Sequence, residues 1–292
     1  MSIFENSIPI VKNPPLSFRI VKWLQSRNVR GSWRLGDLFS KRNLWNKYVR
    51  YTINEHSSVD IPIAIRPYTL SYIKNYEKDS IEFVKRILPQ YNSNFTLVDC
   101  GADIGLMAIS LISNCLMINQ LVAFEPNKNS YNHLLHNTRL LKIKSIAKNM
   151  AVSDFSGNAE LKHPSFDSHD HAAFIVPAED GDIEVASIDS LNVDLGDNIF
   201  FKIDVEGAEL SVIKGAIESL SKAKNFVILF ESHYRQVNRT NIDPTSIISE
   251  IIAIKPCKYS IVEMPDAQID LNKPFYEQHP KKIFNICVYS PS

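Results

Sequence analysis

Residues Phe95–Gly105 read FTLVDCGADIG. An apolar run closes on Asp99-Cys100, a glycine turn follows, and the helical stretch LMAISLISN takes over at Leu106. Strand, tight turn and helix in that order open a βαβ unit, and open α/β sheets bind ligands where such strands end. Gly101 can take the tight turn and let a ligand approach the backbone; Gly105 lets the helix begin close to the strand. The spacing is G-x-x-x-G, and Asp103 stands where a dinucleotide fingerprint has its middle glycine. A pyrophosphate needs bare backbone N–H groups at a helix N-terminus, and Asp99 and Asp103 would repel it. Two carboxylates suit a cationic ligand instead. The plainer alternative is that both aspartates cap the following helix, which Asp does well.

The next segment separates the two. Leu121–Phe124 reads as a strand closed by Glu125-Pro126, and Glu125 lies 20 residues after Gly105. An acid at that place holds ribose hydroxyls. A nucleoside that carries positive charge and an amino acid tail fits Asp99, Asp103 and Glu125 together, and S-adenosylmethionine is such a molecule.

Periodicity extends the pattern on both sides. Upstream, Ser80–Leu88 predicts an amphipathic helix stopped by Pro89. Downstream, Ser130–Leu140, Ala208–Leu220 and Pro244–Ile254 read as helices. Ile146–Val152, Ile183–Ile188, Ile199–Ile203, Asn225–Phe230, Tyr259–Glu263 and Ile283–Tyr289 read as strands. Alternation of this kind predicts a doubly wound α/β fold with a mostly parallel, seven-stranded, Rossmann-like sheet. The last two strands have only a loop between them, which predicts an antiparallel pair at the sheet edge, with one strand reversed.

The chain has 292 residues, 45% of them apolar, enough to bury a large core. That excludes a disordered chain or a disulfide-stapled miniprotein. Its longest apolar runs fall short of the roughly 18 residues that span a bilayer, and the first residues do not read as a signal peptide. Cys100, Cys115, Cys257 and Cys287 are scattered without a CxxC pair. That usage predicts a reduced, cytoplasmic protein without a zinc knuckle.

Six blocks then carry a resemblance. VDCGADIG, AFEPN (123–127), AVSD (151–154), SIDSL (187–191), KIDVEGAEL (202–210) and FES (230–232) occur in the order seen in FkbM-type class I S-adenosylmethionine-dependent methyltransferases. KIDVEGAE is the most specific of them. Asp103 departs from the family, which more often has Asn there; either side chain accepts a hydrogen bond. The resemblance implies that Asp99, Gly101, Ala102, Asp103 and Gly105 line the methionine side of the cofactor. It further implies Glu125 and Pro126 at the ribose, Ala151 and Val152 at the adenine, and Asp204 at the cofactor's reacting end. Tyr76-Glu77 is similar to the family's aromatic–Glu pair, which adds Glu77. The implied activity is methyl transfer, mainly to hydroxyl groups of sugars or natural products.

Such a transfer needs an aligned acceptor oxygen and a group that removes its proton. Asp204 follows one strand and Glu231-Ser232-His233 ends the next, so Asp204, Glu231 and His233 are the catalytic candidates. Asp204 and Glu231 could alternatively hold Mg²⁺ or another divalent ion as Lewis acid; Asp204 could also merely cap the next helix. Nitrogen-directed methyltransferases often carry Asn/Asp-Pro-Pro-aromatic at this strand end, where the chain reads Asp204-Val205-Glu206-Gly207. Oxygen is the expected acceptor atom, within a glycan, glycolipid or related metabolite. A non-catalytic docking module is the alternative of a different class.

The net charge of zero hides an asymmetry. Residues 1–50 hold ten Lys/Arg against Glu5 and Asp37, and all three tryptophans lie there. Residues 1–70 therefore read as a basic, mainly helical extension before a catalytic domain over 71–292. Residues 17–50 are a candidate for peripheral contact with the inner face of a membrane; a dimer contact is the plainer alternative, and nucleic acid is not expected. The stretch Lys162–His171 holds three histidines and reads as a solvated loop that could touch substrate.

Overall fold

A computed structural model of the chain describes residues 8–27, 29–42, 44–63, 76–162 and 174–291, and at 33, 37, 40 and 41 the backbone alone. Two compact units emerge, Met1–Lys78 and Asp79–Ser292.

The first unit contains β1 (Ile10–Val11), α1 (Leu16–Ser26), α2 (Ser32–Lys41), β2 (Tyr48–Asn54) and β3 (Ser57–Pro62). The helices agree with the expected extension, but the chain after Trp45 adds a small sheet. β1 pairs parallel with β2, and β2 turns antiparallel into β3. Phe18 and Val21 of α1 bury against Trp45, Val49 and Ile63. The Phe18 ring meets Trp45 edge-on at 5.3 Å, a favoured aromatic geometry. Arg50 and the fully buried Asp60 form a two-point pair at 2.8 Å across β2 and β3, so the hairpin is stitched by charge as well as by backbone bonds.

The second unit begins with α3 (Lys78–Ile87), β4 (Phe95–Cys100), α4 (Leu106–Asn114), β5 (Ile118–Phe124), α5 (Lys128–Thr138) and β6 (Lys144–Lys148). β7 (Ala151–Val152), β8 (Gly157–Lys162), β9 (Phe174–Pro177) and β10 (Ile183–Ala186) follow. The remainder is β11 (Asn198–Ile203), α6 (Glu209–Lys214), α7 (Ile217–Lys222), β12 (Asn225–His233), α8 (Tyr234–Thr240), α9 (Pro244–Ile254), β13 (Lys258–Ile261), α10 (Phe275–Gln278) and β14 (Ile283–Tyr289). Seven strands form one sheet in the order β13-β14-β12-β11-β4-β5-β6. β4 lies inside the sheet, between β11 and β5, and is buried along its whole length, as an interior parallel strand must be.

All strands are parallel except β14, which runs antiparallel to both β12 and β13. The expected terminal pair is present. Its reversed strand lies inside β13, because the chain reaches the outer edge first and returns through the gap beside β12. Sheet order therefore turns at β4: β5 and β6 build outward on one side, and β11 restarts on the other. That is a topological switch point, and the carboxyl ends of β4 and β11 flank it.

Two expected elements divide, for reasons that lie outside their own sequence. The run 146–152 breaks because Asn149 Nδ2 donates to the carbonyls of Glu125 and Pro126, at 2.8 and 2.9 Å. β7 then leaves the large sheet and joins β10 in a second sheet of order β7-β10-β8-β9. The expected helix over 208–220 splits at Gly215, where a Cβ would stand 1.9 Å from the Ser153 carbonyl oxygen. Asp189 then caps α7 from a distance, its carboxylate accepting the N–H groups of Glu218 and Ser219 at 2.8 Å. Among the described residues no helix is long and apolar enough to cross a membrane. The four cysteines form no disulfide.

Candidate active site

The glycine turn is held from both neighbouring strands. The N–H groups of Gly101 and Ala102 both donate to the Phe124 carbonyl at 3.0 Å, and the Asp204 N–H donates to the Cys100 carbonyl at 3.0 Å. Gly101 has φ +81°, and a Cβ there would lie 2.0 Å from the Asp204 carbonyl oxygen. The expectation that this glycine clears room for a ligand is therefore corrected: the space is filled by the loop after β11. Gly105, at φ +85°, lets α4 begin against Leu134 of α5, whose Cδ1 would be 2.9 Å from an added Cβ. The N–H groups of Gly101, Ala102, Asp103 and Gly105 all donate within the protein. A phosphate cradle made of free N–H groups is thus not what this turn offers.

Carboxylates face the crevice instead. Both oxygens of Asp99 are buried and have no hydrogen-bond partner. Burial, reinforced by Asp204 and Asp103 and opposed by Lys202, raises its pKa to about 6. An orphaned, fully buried carboxylate costs on the order of 1–3 kcal/mol or more, so its place beside the switch point calls for a donor from a ligand. An ammonium fits.

Glu125 is nearly as buried, but its two oxygens are held. Oε2 accepts the Asp103 N–H at 2.7 Å and Oε1 the Asn127 N–H at 2.8 Å. Each oxygen keeps a lone pair, enough for one hydroxyl apiece of a diol. Burial first, then the charge of Asp103, pushes Glu125 up to about 8 despite those two bonds. Asp103 itself sits in the left-handed region at φ +48°, which Asp tolerates better than most residues. Its carboxylate accepts the Ser130 hydroxyl at 2.8 Å, and Asn127 caps α5 with bonds of 2.9 and 3.2 Å. Asp103 and Asn127 thus brace the site from α5. The capping alternative does not describe Asp99 or Asp103, since Gly105 is the N-cap of α4 and no side chain bonds there.

Asp204 lies one residue beyond β11. Its carboxylate pairs with Lys202 Nζ at 2.8 Å and is one third exposed, while the lysine side chain is 11% exposed. Lys202 stands directly opposite Asp99 in the β4–β11 register, so one buried ammonium lies between the orphaned Asp99 and the accessible Asp204. Sequence reading passed over Lys202; its signal was a lone cation in the otherwise apolar strand Asn198–Ile203. The rest of the loop is structural. Glu206, at φ +56°, accepts Gln236 Nε2 at 2.9 Å, and Glu209 accepts the Gly207 N–H at 3.0 Å. Burial and the charge of Asp204 raise both of these acids to about 7. Arg239 donates to the Glu206 carbonyl and lies 4.1 Å from the Phe174 ring centroid, linking this loop to β9.

Glu231 lies next to Asp204 along the strand ends, one residue beyond the Ile203–Phe230 register pair. His233 has another employment. Its Nδ1 accepts the Arg235 N–H at 2.9 Å, and its own backbone N–H donates to Gln236 at 3.1 Å, a capping box for α8. With Nδ1 accepting, the neutral ring carries its proton on Nε2 and is a donor there. A general base role at Nε2 would break the cap, so the geometry favours a positioning role for His233.

Among the described residues no group of three or more His, Cys, Asp and Glu is arranged to hold a metal ion. Asp204 is engaged by a cation already, so the Asp204–Glu231 pair does not fit the hard-ion site first considered. Ala151 and Val152 are buried in β7, pairing with Val185 and Ala186. Glu77 lies in the first unit, in a turn at φ +46°. The histidines at 163, 169 and 171 lie outside the described residues.

The raised carboxylates make the charge of the site sensitive to pH. From the ordinary carboxylate range up to about 6 the folded protein holds a proton on Asp99, and up to about 8 one on Glu125, that the unfolded chain has lost. The ligand-free fold therefore loses stability as pH rises through those ranges, while the site becomes more anionic. A cationic ligand must bind more tightly in the same direction. Ionisation of Asp99 alone predicts about a tenfold gain between pH ~5 and ~7, where an α-amine is still mostly protonated. Calorimetry with S-adenosylmethionine at the two pH values checks this; equal or weaker binding at the higher pH contradicts it.

Solved structures give distant matches. The FkbM methyltransferase from Methylobacillus flagellatus is 18% identical with a TM-score of 0.45; the match covers 89% of this chain and 60% of that one. M. jannaschii TYW2, crystallised with AdoMet, is 13% identical over 83% of this chain and 84% of its own, with a TM-score of 0.37. The tRNA (uracil-54, C5)-methyltransferase of Pyrococcus abyssi, crystallised with S-adenosyl-L-homocysteine, is 12% identical over 83% and 44%, with a TM-score of 0.39. Among curated proteins there is no match. The methyltransferase FkbM domain model, by contrast, matches residues 99–261, more than half of the chain and the whole span from Asp99 to the end of β13. The chain belongs to the FkbM family of class I methyltransferases.

Proposed function

We propose that the protein is an S-adenosylmethionine-dependent O-methyltransferase acting on a hydroxyl of a sugar, in a polysaccharide, glycolipid or related glycan. The observation that carries the reading is the Asp99–Lys202–Asp204 row at the switch point. A buried carboxylate without a hydrogen-bond partner suits a cation, and the accessible carboxylate near it suits a proton.

When bound, S-adenosylmethionine supplies an already activated methyl group. Asp99 would receive its ammonium and Glu125 its ribose hydroxyls. Asp204 is the base: its accessible carboxylate would take the proton of the acceptor hydroxyl as that oxygen is methylated. Lys202 fixes that carboxylate's orientation through their ion pair at 2.8 Å. Glu231, adjacent, would hold a second acceptor hydroxyl. The sugar target is supported by the family resemblance, and the scattered thiols fit a reducing, cytoplasmic setting.

Incubation with methyl-labelled cofactor and a panel of sugar nucleotides, oligosaccharides and glycolipids tests the proposal. Alkali-stable label on a glycan hydroxyl, at a rate unchanged by chelator, is expected. Label on nitrogen, or as an alkali-labile ester, overturns it.

A further inference from the structure

The first unit carries a surface that methyl transfer does not use. Helix α1 buries Phe18 and Val21, and turns Leu16, Ile20 and Trp23 the other way, 68%, 50% and 57% exposed. Their spacing of four and three residues puts them on one stripe of the helix. Arg27 continues the stripe, its guanidinium 5.5 Å from the Trp23 ring centroid, and Arg19 flanks it. Arg30 and Arg34 follow directly in the chain, both exposed. A soluble helix hides its apolar stripe; this one has two, and the outer one is edged by cations.

We propose that the outer face of α1 docks the protein on an anionic lipid surface, with Leu16, Ile20 and Trp23 entering the headgroup boundary and the arginines pairing with lipid phosphates. Charge complementarity selects this occupant. Residues 1–50 hold ten Lys/Arg against two acids, and each cation near an anionic leaflet adds to attraction that an aliphatic stripe alone would lack. A tryptophan with a neighbouring arginine suits the headgroup level. Three side chains on an eleven-residue helix fall short of the roughly 1,200–2,000 Å² that a stable protein interface buries. A bilayer sets no such minimum. The proposal is independent of the reaction.

The full chain should sediment with vesicles of phosphatidylcholine and phosphatidylglycerol at about seven to three, and not with phosphatidylcholine alone. Trp23 emission should shift to the blue on binding. The double variant Ile20→Ser, Trp23→Ser and the double variant Arg19→Glu, Arg27→Glu should each lower partitioning roughly tenfold or more, with unchanged melting temperature, since all four side chains point outward. Three results would overturn the proposal: no sedimentation with either vesicle, equal sedimentation with both, or binding that survives both variants. Self-association that the same variants abolish would instead assign this face to a second copy of the chain.

Discussion

Asp204→Asn should lower kcat by about 10²–10⁴-fold, the range general bases contribute, while cofactor affinity stays within about tenfold. Asn matches Asp in size and keeps an oxygen toward Lys202, so the loop after β11 need not move. It cannot take a proton. The two readouts separate catalysis from binding, because the proposed reading assigns the affinity to Asp99 and Glu125 and neither is changed. Lys202→Met tests the same row from the other side. It leaves the Asp204 carboxylate without its ion pair and should reduce turnover. Turnover by Asp204→Asn within threefold or so of the parent would move the base to Glu231.

Gly101→Ala should destabilise the second unit by more than about 3 kcal/mol. Two costs add. An alanine at φ +81° is strained by roughly 1–2 kcal/mol, and its Cβ would meet the Asp204 carbonyl oxygen at 2.0 Å, a backbone atom that no rotamer can move aside. At roughly 2–4 °C per kcal/mol for a unit of this size, melting should fall by about 10 °C, read by calorimetry or circular dichroism. Gly215→Ala is the matched control. Its Cβ would meet the Ser153 carbonyl oxygen at 1.9 Å, so it should cost stability while leaving cofactor affinity intact at low temperature. Gly101→Ala should lose both. A melting point within a degree or two of the parent would show that the contact between the glycine turn and the Asp204 loop yields at little cost.

The fold was legible because its central strands are apolar runs with punctuated ends. β4, β11 and β12 are buried on both faces, and α9 starts at a Pro preceded by a capping Asp243. What escaped were features whose cause is distant in sequence. Asp189 caps a helix 28 residues later, Asn149 severs a strand by reaching back to Glu125, and β8, with few apolar residues, pairs antiparallel with the short β9. The site divides the same way. Asp99, Glu125 and Asp204 could be placed because each sits within a residue of a strand end, and Asp103 because it lies in the turn three residues past β4. The pairing of Lys202 with Asp204 needed the register of two strands, and the capping role of His233 needed the start of α8. At Gly101 the glycine is required by a neighbour in the protein, the Asp204 carbonyl, which the sequence did not reveal.

Everything turns on a cationic cofactor held by carboxylates at the ends of β4 and β5, and titration of the purified full chain with S-adenosylmethionine in a calorimeter at about pH 7.5 measures it directly. Saturable binding of one molecule per chain, weakened at least tenfold or so by Glu125→Ala, is the result expected. No heat, or an affinity that Glu125→Ala leaves unchanged, would contradict it.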